Sequence, residues 1–265
     1  MKKLLVLYIV LIGYINGSYP HPVFGENGMV VSTSRQASIA GIEILKKGGN
    51  AIDAACATGF VLAVTSSSNG NIGGGGFMVV HKENSKNFTL DYREIAPAAA
   101  HRDMFLDSNG EVIDNMSLRT RAASGVPGSV DGLLKAWKDH GSGNISRREL
   151  LASAIALAER GFKLSHYEAK RFNNNKDLFL KNKAAAKIFI RKNRKPWKAG
   201  DRFIQKDLAR TLKRISREGR DGFYTGKTAD LIIAEMNQGI GLITHEDLLK
   251  YKSKYRDPMI GSFKG

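Results

Sequence analysis

Residues 70–93 read GNIGGGGFMVVHKENSKNFTLDYR, and this stretch decides the fold class. Four consecutive glycines, Gly73 to Gly76, lead into the apolar run Met78 to His81. A polar turn follows, and a second apolar run, Phe88 to Arg93, ends on charged residues. Two short apolar runs around a polar turn predict a β-hairpin.

The glycine run permits a close approach of two backbones or unusual dihedral angles. It lacks the G-x-G-x-x-G pattern, and no Lys-Ser or Lys-Thr pair follows it, which argues against dinucleotide sites and P-loops. Close backbone packing beside a site is the favoured interpretation, and direct contact with an anion is the alternative.

Arg93, at the end of the second strand, is the strongest candidate for a binding residue. A guanidinium presents a rigid fork of donors that matches a carboxylate, and it stays charged near pH 7. We therefore predict that Arg93 binds the carboxylate of an amino acid-like substrate. The alternative is a structural salt bridge to Asp91 or Glu94.

Patterns on both sides of the hairpin predict a mixture of helices and strands. Upstream, Met29 to Ser32 predicts a strand and Gln36 to Lys47 a helix. Asn50 with Asp53 predicts a capping box for a nearly all-apolar, buried helix. Further helices are predicted over Ser129 to Asp139, Ser146 to Gly161, Tyr167 to Leu180, Lys206 to Arg217, Thr228 to Asn237 and His245 to Tyr251. The class is therefore α/β (α+β), with a short strand beginning at Tyr255.

The N-terminus predicts an exported protein, periplasmic or secreted. Lys2 and Lys3 precede the apolar run Leu4 to Ile12, and cleavage is expected near Gly17 or Ser18. Residues 1–17 would be a signal peptide and residues 18–265 the remaining domain, an uncleaved membrane anchor being the alternative. The single cysteine, Cys56, excludes an intrachain disulfide and is expected to be a buried small apolar residue.

The formal net charge of +16 is concentrated in a basic helical lobe. Between Lys163 and Lys227 there are 20 Lys or Arg and 6 Asp or Glu, an excess of 14 positive charges. The aromatic residues in this region match no nucleic-acid motif, and core positions of helices explain them: Phe172, Phe179, Phe189 and Trp197. A solvated face that aids solubility or attracts anionic surfaces is favoured, and no nucleic-acid partner is expected.

No pattern for a nucleophile, a metal or a cofactor stands out. G-x-S-x-G is absent, and the six histidines are scattered without metal-ligand spacing. We therefore assign no catalytic residue, no metal ligand and no cofactor.

Eight motifs follow one another along the chain in a single order. They are GMVVS (28–32), LKKGGNAIDAA (45–55), GNIGGGGF (70–77), DYREIAP (91–97), DMFLD (103–107), GVPGSV (125–130), DGFYTG (221–226) and GLITHEDL (241–248). Together they resemble the large-subunit region of gamma-glutamyltransferases (glutathione hydrolases), from about Gly28 to the C-terminus.

This resemblance implies an N-terminal nucleophile hydrolase-like αββα sandwich. Members of that family are exported precursors that cut themselves into a large and a small subunit. The new N-terminal threonine of the small subunit attacks the gamma-glutamyl carbonyl of a substrate such as glutathione and forms an acyl-enzyme. Water or an amino acid then takes the acyl group. Arg93 matches the family's residue for the α-carboxylate of the substrate.

The threonine, the oxyanion glycines and the small-subunit substrate contacts of this family have no match in these 265 residues. We therefore expect an incomplete sandwich that is inactive alone and needs a small subunit as its partner. A noncatalytic degenerate fragment or binding protein is an alternative. An acylase of the same fold that acts on other amides is another.

Overall fold

The computed structural model describes residues 22–83 and 86–265, so the predicted signal peptide and part of the hairpin turn lie outside the described residues. The helices of eight or more residues are α1 (Arg35–Lys46), α2 (Ala51–Thr65), α4 (Ser129–His140), α5 (Arg147–Arg160), α6 (His166–Asn174), α9 (Lys206–Glu218) and α11 (Gly226–Met236). The shorter helices are α3 (Met116–Arg119), α7 (Lys176–Leu180), α8 (Lys183–Phe189), α10 (Asp221–Tyr224) and α12 (His245–Lys250). The strands are β1 (Phe77–Val80), β2 (Phe88–Asp91), β3 (Phe162–Lys163), β4 (Arg202–Phe203) and β5 (Lys254–Arg256).

The predicted hairpin is confirmed as the antiparallel pair β1 and β2, with Phe77 opposite Asp91 and Val80 opposite Phe88. Strand β5 adds antiparallel to the other edge of β2, so the sheet has the order β1-β2-β5. The middle strand carries the fully buried Leu90. On β1, Val79 is 73% exposed, so one face of this edge strand is open to solvent in the described structure.

Helix α2 is the centre of the core, as its apolar sequence predicts. Its capping box is confirmed: Asn50 Oδ1 accepts hydrogen bonds from the backbone of Ile52 and Asp53, and Asp53 Oδ2 accepts one from the Asn50 N–H. The helix packs against α1, α4 and α5. Gly59 permits the contact with α4, because a Cβ there would lie 3.0 Å from the Leu133 side chain. Cys56 is fully buried, as expected.

The basic lobe is built around aromatic residues. The rings of Phe172, Phe179, Phe189, Trp197 and Phe203 pack on one another, with centroids 4.6 Å apart for the stacked pair Phe179 and Phe189. The interpretation as core positions of helices is confirmed for the buried Phe172 and the partly buried Phe179 and Phe189. Trp197 packs on the same cluster but lies outside the described helices. The predicted helix Tyr167 to Leu180 is interrupted at Asn175, which ends α6 and begins α7.

The strand predicted at Met29 to Ser32 is wrong. This segment has no regular structure, and Val31 is 82% exposed. Apolar alternation alone does not make a strand: backbone N–H and C=O groups need a neighbouring strand, and none of the described strands pairs with this segment. The strand predicted from Tyr255 is confirmed as β5. No helix within residues 22–83 and 86–265 combines the length and apolar character needed to cross a membrane.

Candidate functional site

The site lies where β2 ends. Side chains alternate along a strand, so Leu90 and Tyr92 point to the core while Asp91 and Arg93 point outward. Asp91 Oδ1 accepts a hydrogen bond of 3.0 Å from the Arg93 N–H. Asp91 Oδ2 accepts one of 2.7 Å from Arg256 Nε of β5. These two hydrogen bonds, the Arg93 N–H first, hold the pKa of Asp91 below its ordinary value.

The Arg93 guanidinium is mainly open to solvent, with 63% of its side chain exposed. Its Nη1 donates to Glu94 Oε2 at 2.8 Å. The salt bridge considered as an alternative role is therefore present with Glu94, whereas Asp91 pairs with Arg256 instead. An exposed pair of this kind stabilises a fold by at most about 1 kcal/mol, and a guanidinium carries five donors. The pairing therefore leaves Arg93 able to bind a carboxylate as well.

The glycine run packs against the backbone just before and after Arg93. Gly76 exchanges two backbone hydrogen bonds with Tyr92, at 3.2 and 3.0 Å. A Cβ on Gly75 would lie 2.7 Å from the Glu94 nitrogen, a distance shorter than real Cβ contacts essentially ever show. The Gly74 carbonyl accepts hydrogen bonds from the N–H groups of Gly128 and Ser129. The close-packing interpretation of the run is therefore confirmed.

One further residue, Tyr251, holds the Arg93 backbone, and the sequence patterns did not assign it to the site. The Tyr251 hydroxyl donates to the Arg93 carbonyl oxygen at 2.8 Å. Gly128 makes room for it, because a Cβ at Gly128 would come within 3.0 Å of both the Tyr251 hydroxyl and the Tyr92 carbonyl oxygen. Tyr251 lies 158 residues from Arg93 in sequence, so no local pattern could have shown this contact.

The segment around Tyr251 is anchored by a partly buried ion pair. Arg220 Nε donates to Asp131 Oδ1 at 2.8 Å, and Asp131 Oδ2 accepts from the N–H and the hydroxyl of Ser253 at 2.8 and 2.6 Å. Arg220 Nη2 also donates to the carbonyl oxygens of Leu249 and Tyr251. The first turn of α4 and the chain leading into β5 are thereby tied together.

Other candidates for chemistry do not assemble around Arg93. In the described part of the chain, no group of three or more His, Cys, Asp or Glu side chains is placed to hold a metal ion. Burial raises the pKa of the Cys56 thiol, which therefore stays protonated and unreactive. The thiol donates a weak hydrogen bond to the Leu133 carbonyl.

A model of the family described as gamma-glutamyltranspeptidase matches residues 37–265, which include the glycine run, Arg93 and Tyr251. The chain belongs to this family. The members of this family are enzymes.

Curated relatives agree with this assignment. The chain is 46% identical over 243 residues to a glutathione hydrolase proenzyme of Pseudomonas aeruginosa, and 44% identical over 245 residues to that of Pseudomonas sp. strain A14. These alignments cover 91% and 92% of the chain. They cover only 42% of each relative, so the chain spans well under half the length of the proteins it matches.

Solved structures show the same fold. The Helicobacter pylori gamma-glutamyltranspeptidase superposes with a TM-score of 0.89 at 42% identity, covering 92% of this chain and 70% of that one. A cephalosporin acylase from Bacillus halodurans superposes with a TM-score of 0.79 at 28% identity, covering 94% of this chain and 47% of that one. The family thus has the N-terminal nucleophile hydrolase fold, as the resemblance implies. The described residues form the three-stranded sheet β1-β2-β5, the two-stranded sheet β3-β4 and the helices packed around them.

Proposed function

We infer that this chain supplies the large-subunit part of a gamma-glutamyltransferase or glutathione hydrolase. In this role Arg93 holds the α-carboxylate of the gamma-glutamyl group. The nucleophile is the N-terminal threonine of a small subunit, which is the partner of this chain. The substrate class is gamma-glutamyl amides such as glutathione.

The reaction follows from these roles. The threonine oxygen attacks the gamma-carbonyl carbon, with the free α-amine of the same residue accepting the hydroxyl proton. The amide C–N bond breaks, the leaving amine takes a proton, and an ester to the threonine remains. Water or an amino acid then attacks this ester and releases the threonine. Arg93 takes no part in bond making: it anchors the far end of the substrate so that the gamma-carbonyl meets the nucleophile.

The observation that carries this proposal is the state of Arg93. Its main chain is held from both sides, by Asp91 at the N–H and by Tyr251 at the carbonyl, while its guanidinium projects into solvent. Bidentate recognition of a carboxylate needs a guanidinium that is exposed and permanently charged, carried on a backbone that is held in place. The names of the relatives, glutathione hydrolase proenzymes, favour the gamma-glutamyl substrate over the amides of an acylase.

The test joins this chain in frame to the remaining region of the Pseudomonas aeruginosa proenzyme and measures p-nitroaniline release from gamma-glutamyl-p-nitroanilide. We expect self-cleavage into two subunits and turnover by the chimera, and no turnover by the 265-residue chain alone. A chimera that cleaves itself and still releases no product would contradict the proposed activity. Turnover by the chain alone would show that the nucleophile lies within it.

The role of Arg93 is tested in the same chimera by Arg93→Lys. Lysine keeps the charge and loses the fork, so we expect KM to rise by about tenfold or more. Arg102→Lys is the matched control, since the Arg102 side chain is 95% exposed. An Arg93→Lys enzyme with the KM of the wild type would refute the assigned role.

We also propose export to the periplasm or the exterior, on the pattern of residues 1–17. Fractionation of cells that produce the tagged full-length chain tests this. We expect the processed chain in the periplasm or medium, and a chain that stays in the cytoplasm at full length would contradict it.

A further inference from the structure

Tyr251 completes the fixation of the Arg93 peptide units. The N–H of Arg93 donates to Asp91, the last residue of β2, which sets one side of the residue. The carbonyl of Arg93 accepts from the Tyr251 hydroxyl, which sets the other side. With both polar groups of the backbone tied, the direction in which the side chain leaves the strand is set too.

Tyr251 itself is held in place by burial and by stacking on a neighbouring tyrosine ring. It is 1% exposed, and its ring stacks on that of Tyr224 with centroids 5.8 Å apart and planes 6° from parallel. The Tyr224 hydroxyl donates to the Pro127 carbonyl at 2.8 Å. Burial, followed by nearby carboxylates, raises the pKa of Tyr251, so its hydroxyl remains a protonated donor across the working range.

The backbone on either side of Tyr251 is also clamped. Arg220 donates to the carbonyls of Leu249 and Tyr251, and Asp131, the partner of Arg220, accepts twice from Ser253. From this framework the Tyr251 hydroxyl projects towards the site. The framework therefore presents one hydrogen bond donor to the Arg93 carbonyl.

We propose that Tyr251 is a positioning residue for substrate binding: its hydroxyl fixes the Arg93 carbonyl and so aims the Arg93 guanidinium at the substrate carboxylate. The proposal rests on the function proposed above and adds to it a residue that touches no substrate. A purely structural role predicts something else. The ring of a phenylalanine would fill the same space and stack on Tyr224 in the same way, so packing alone would leave substrate affinity unchanged.

Tyr251→Phe in the chimera separates the two roles. We expect KM for gamma-glutamyl-p-nitroanilide to rise on the order of fivefold, as the loss of one hydrogen bond would cause, with kcat within about twofold of the wild type. Tyr255→Phe is the matched control: this neighbouring tyrosine donates to Asp139 at 2.8 Å and makes no hydrogen bond to Arg93. Its KM should equal that of the wild type.

A double variant tests whether Tyr251 acts through Arg93. If it does, the double variant Arg93→Lys with Tyr251→Phe should have nearly the same KM as Arg93→Lys alone. The reason is that the orientation of the backbone at residue 93 matters little once the guanidinium is replaced by an ammonium group. Full multiplication of the two effects, or a wild-type KM for Tyr251→Phe, would overturn the proposal.

Hydrogen exchange on the 265-residue chain gives an answer that does not depend on activity. In Tyr251→Phe, backbone amides of residues 92–95 should exchange faster than in the wild type, and in Tyr255→Phe they should not. If exchange is faster in Tyr251→Phe but the wild-type chimera is inactive, the proposed function is refuted and the fixation of Arg93 by Tyr251 is still supported. Unchanged exchange would overturn the fixation itself, whether or not the chimera is active.

Discussion

Gly128→Ala adds one methyl group at the point where three parts of the site meet. The backbone of Gly128 has φ −115°, which any residue can adopt, so the substitution causes no dihedral strain. The new Cβ would instead come within 3.0 Å of the Tyr92 carbonyl oxygen and of the Tyr251 hydroxyl. The carbonyl belongs to a strand-end peptide that is hydrogen-bonded to Gly76, so it cannot move without breaking that contact.

The magnitude follows from two opposing effects. Overpacking of a rigid site costs about 3 kcal/mol of folding free energy. Replacing glycine by alanine restricts the unfolded chain, which offsets about 0.7 kcal/mol. The net loss is therefore about 2 kcal/mol, and for a chain of this size it lowers the melting temperature by about 4–8 °C.

Thermal unfolding of the chain, followed by circular dichroism, measures this shift. Gly261→Ala is the matched control, because a Cβ there meets nothing within 4 Å, and its melting temperature should be that of the wild type. Adding Tyr251→Phe to Gly128→Ala removes one of the two clashing atoms and should restore part of the loss. If Gly128→Ala melts within about 1 °C of the wild type, the close approach at this glycine has no energetic weight and the reasoning fails.

Two further predictions concern the ends of α2 and β2. Asn50→Ala removes the acceptor for the Ile52 and Asp53 N–H groups at the start of α2, and urea unfolding should show a loss of about 1–2 kcal/mol. The pKa of Asp91 is lowered in the folded chain, so its carboxylate stabilises the fold above the ordinary value of 3.8, and this contribution is lost as pH falls through the lower folded-state pKa. The melting temperature of the wild type should therefore exceed that of Asp91→Asn at about pH 6, and the gap should close towards about pH 3.

Local patterns were enough to predict the parts of the fold whose causes are local. The capping box at Asn50, the hairpin and the buried α2 all depend on residues within a few positions of one another, and all three are confirmed. The strand at Met29 to Ser32 is wrong because a strand depends on a partner elsewhere in the chain. The break at Asn175 was missed because the apolar spacing continues through it.

The candidate site divides in the same way. Arg93 could be selected from the sequence, since the chemistry of a guanidinium at a strand end is local information. The residues that support Arg93 could not be predicted, because Tyr251 binds its carbonyl from a distant part of the chain, in space that Gly128 leaves open. The salt bridge to Glu94 shows the limit of the reverse inference: an arginine that makes a structural contact at one nitrogen still has donors for a ligand.

The glycine run and Gly128 serve one purpose by different routes. Gly74, Gly75 and Gly76 let a loop lie against the backbone of residues 92–94, and Gly128 lets the Tyr251 hydroxyl reach the same backbone from the other side. Neither contact could form if the loops carried side chains at these points. The backbone just beyond the end of β2 can therefore be approached closely from two sides because these glycines carry no side chains. In the proposed function, the charged group that binds the substrate carboxylate is the guanidinium of Arg93, which projects from this closely packed backbone.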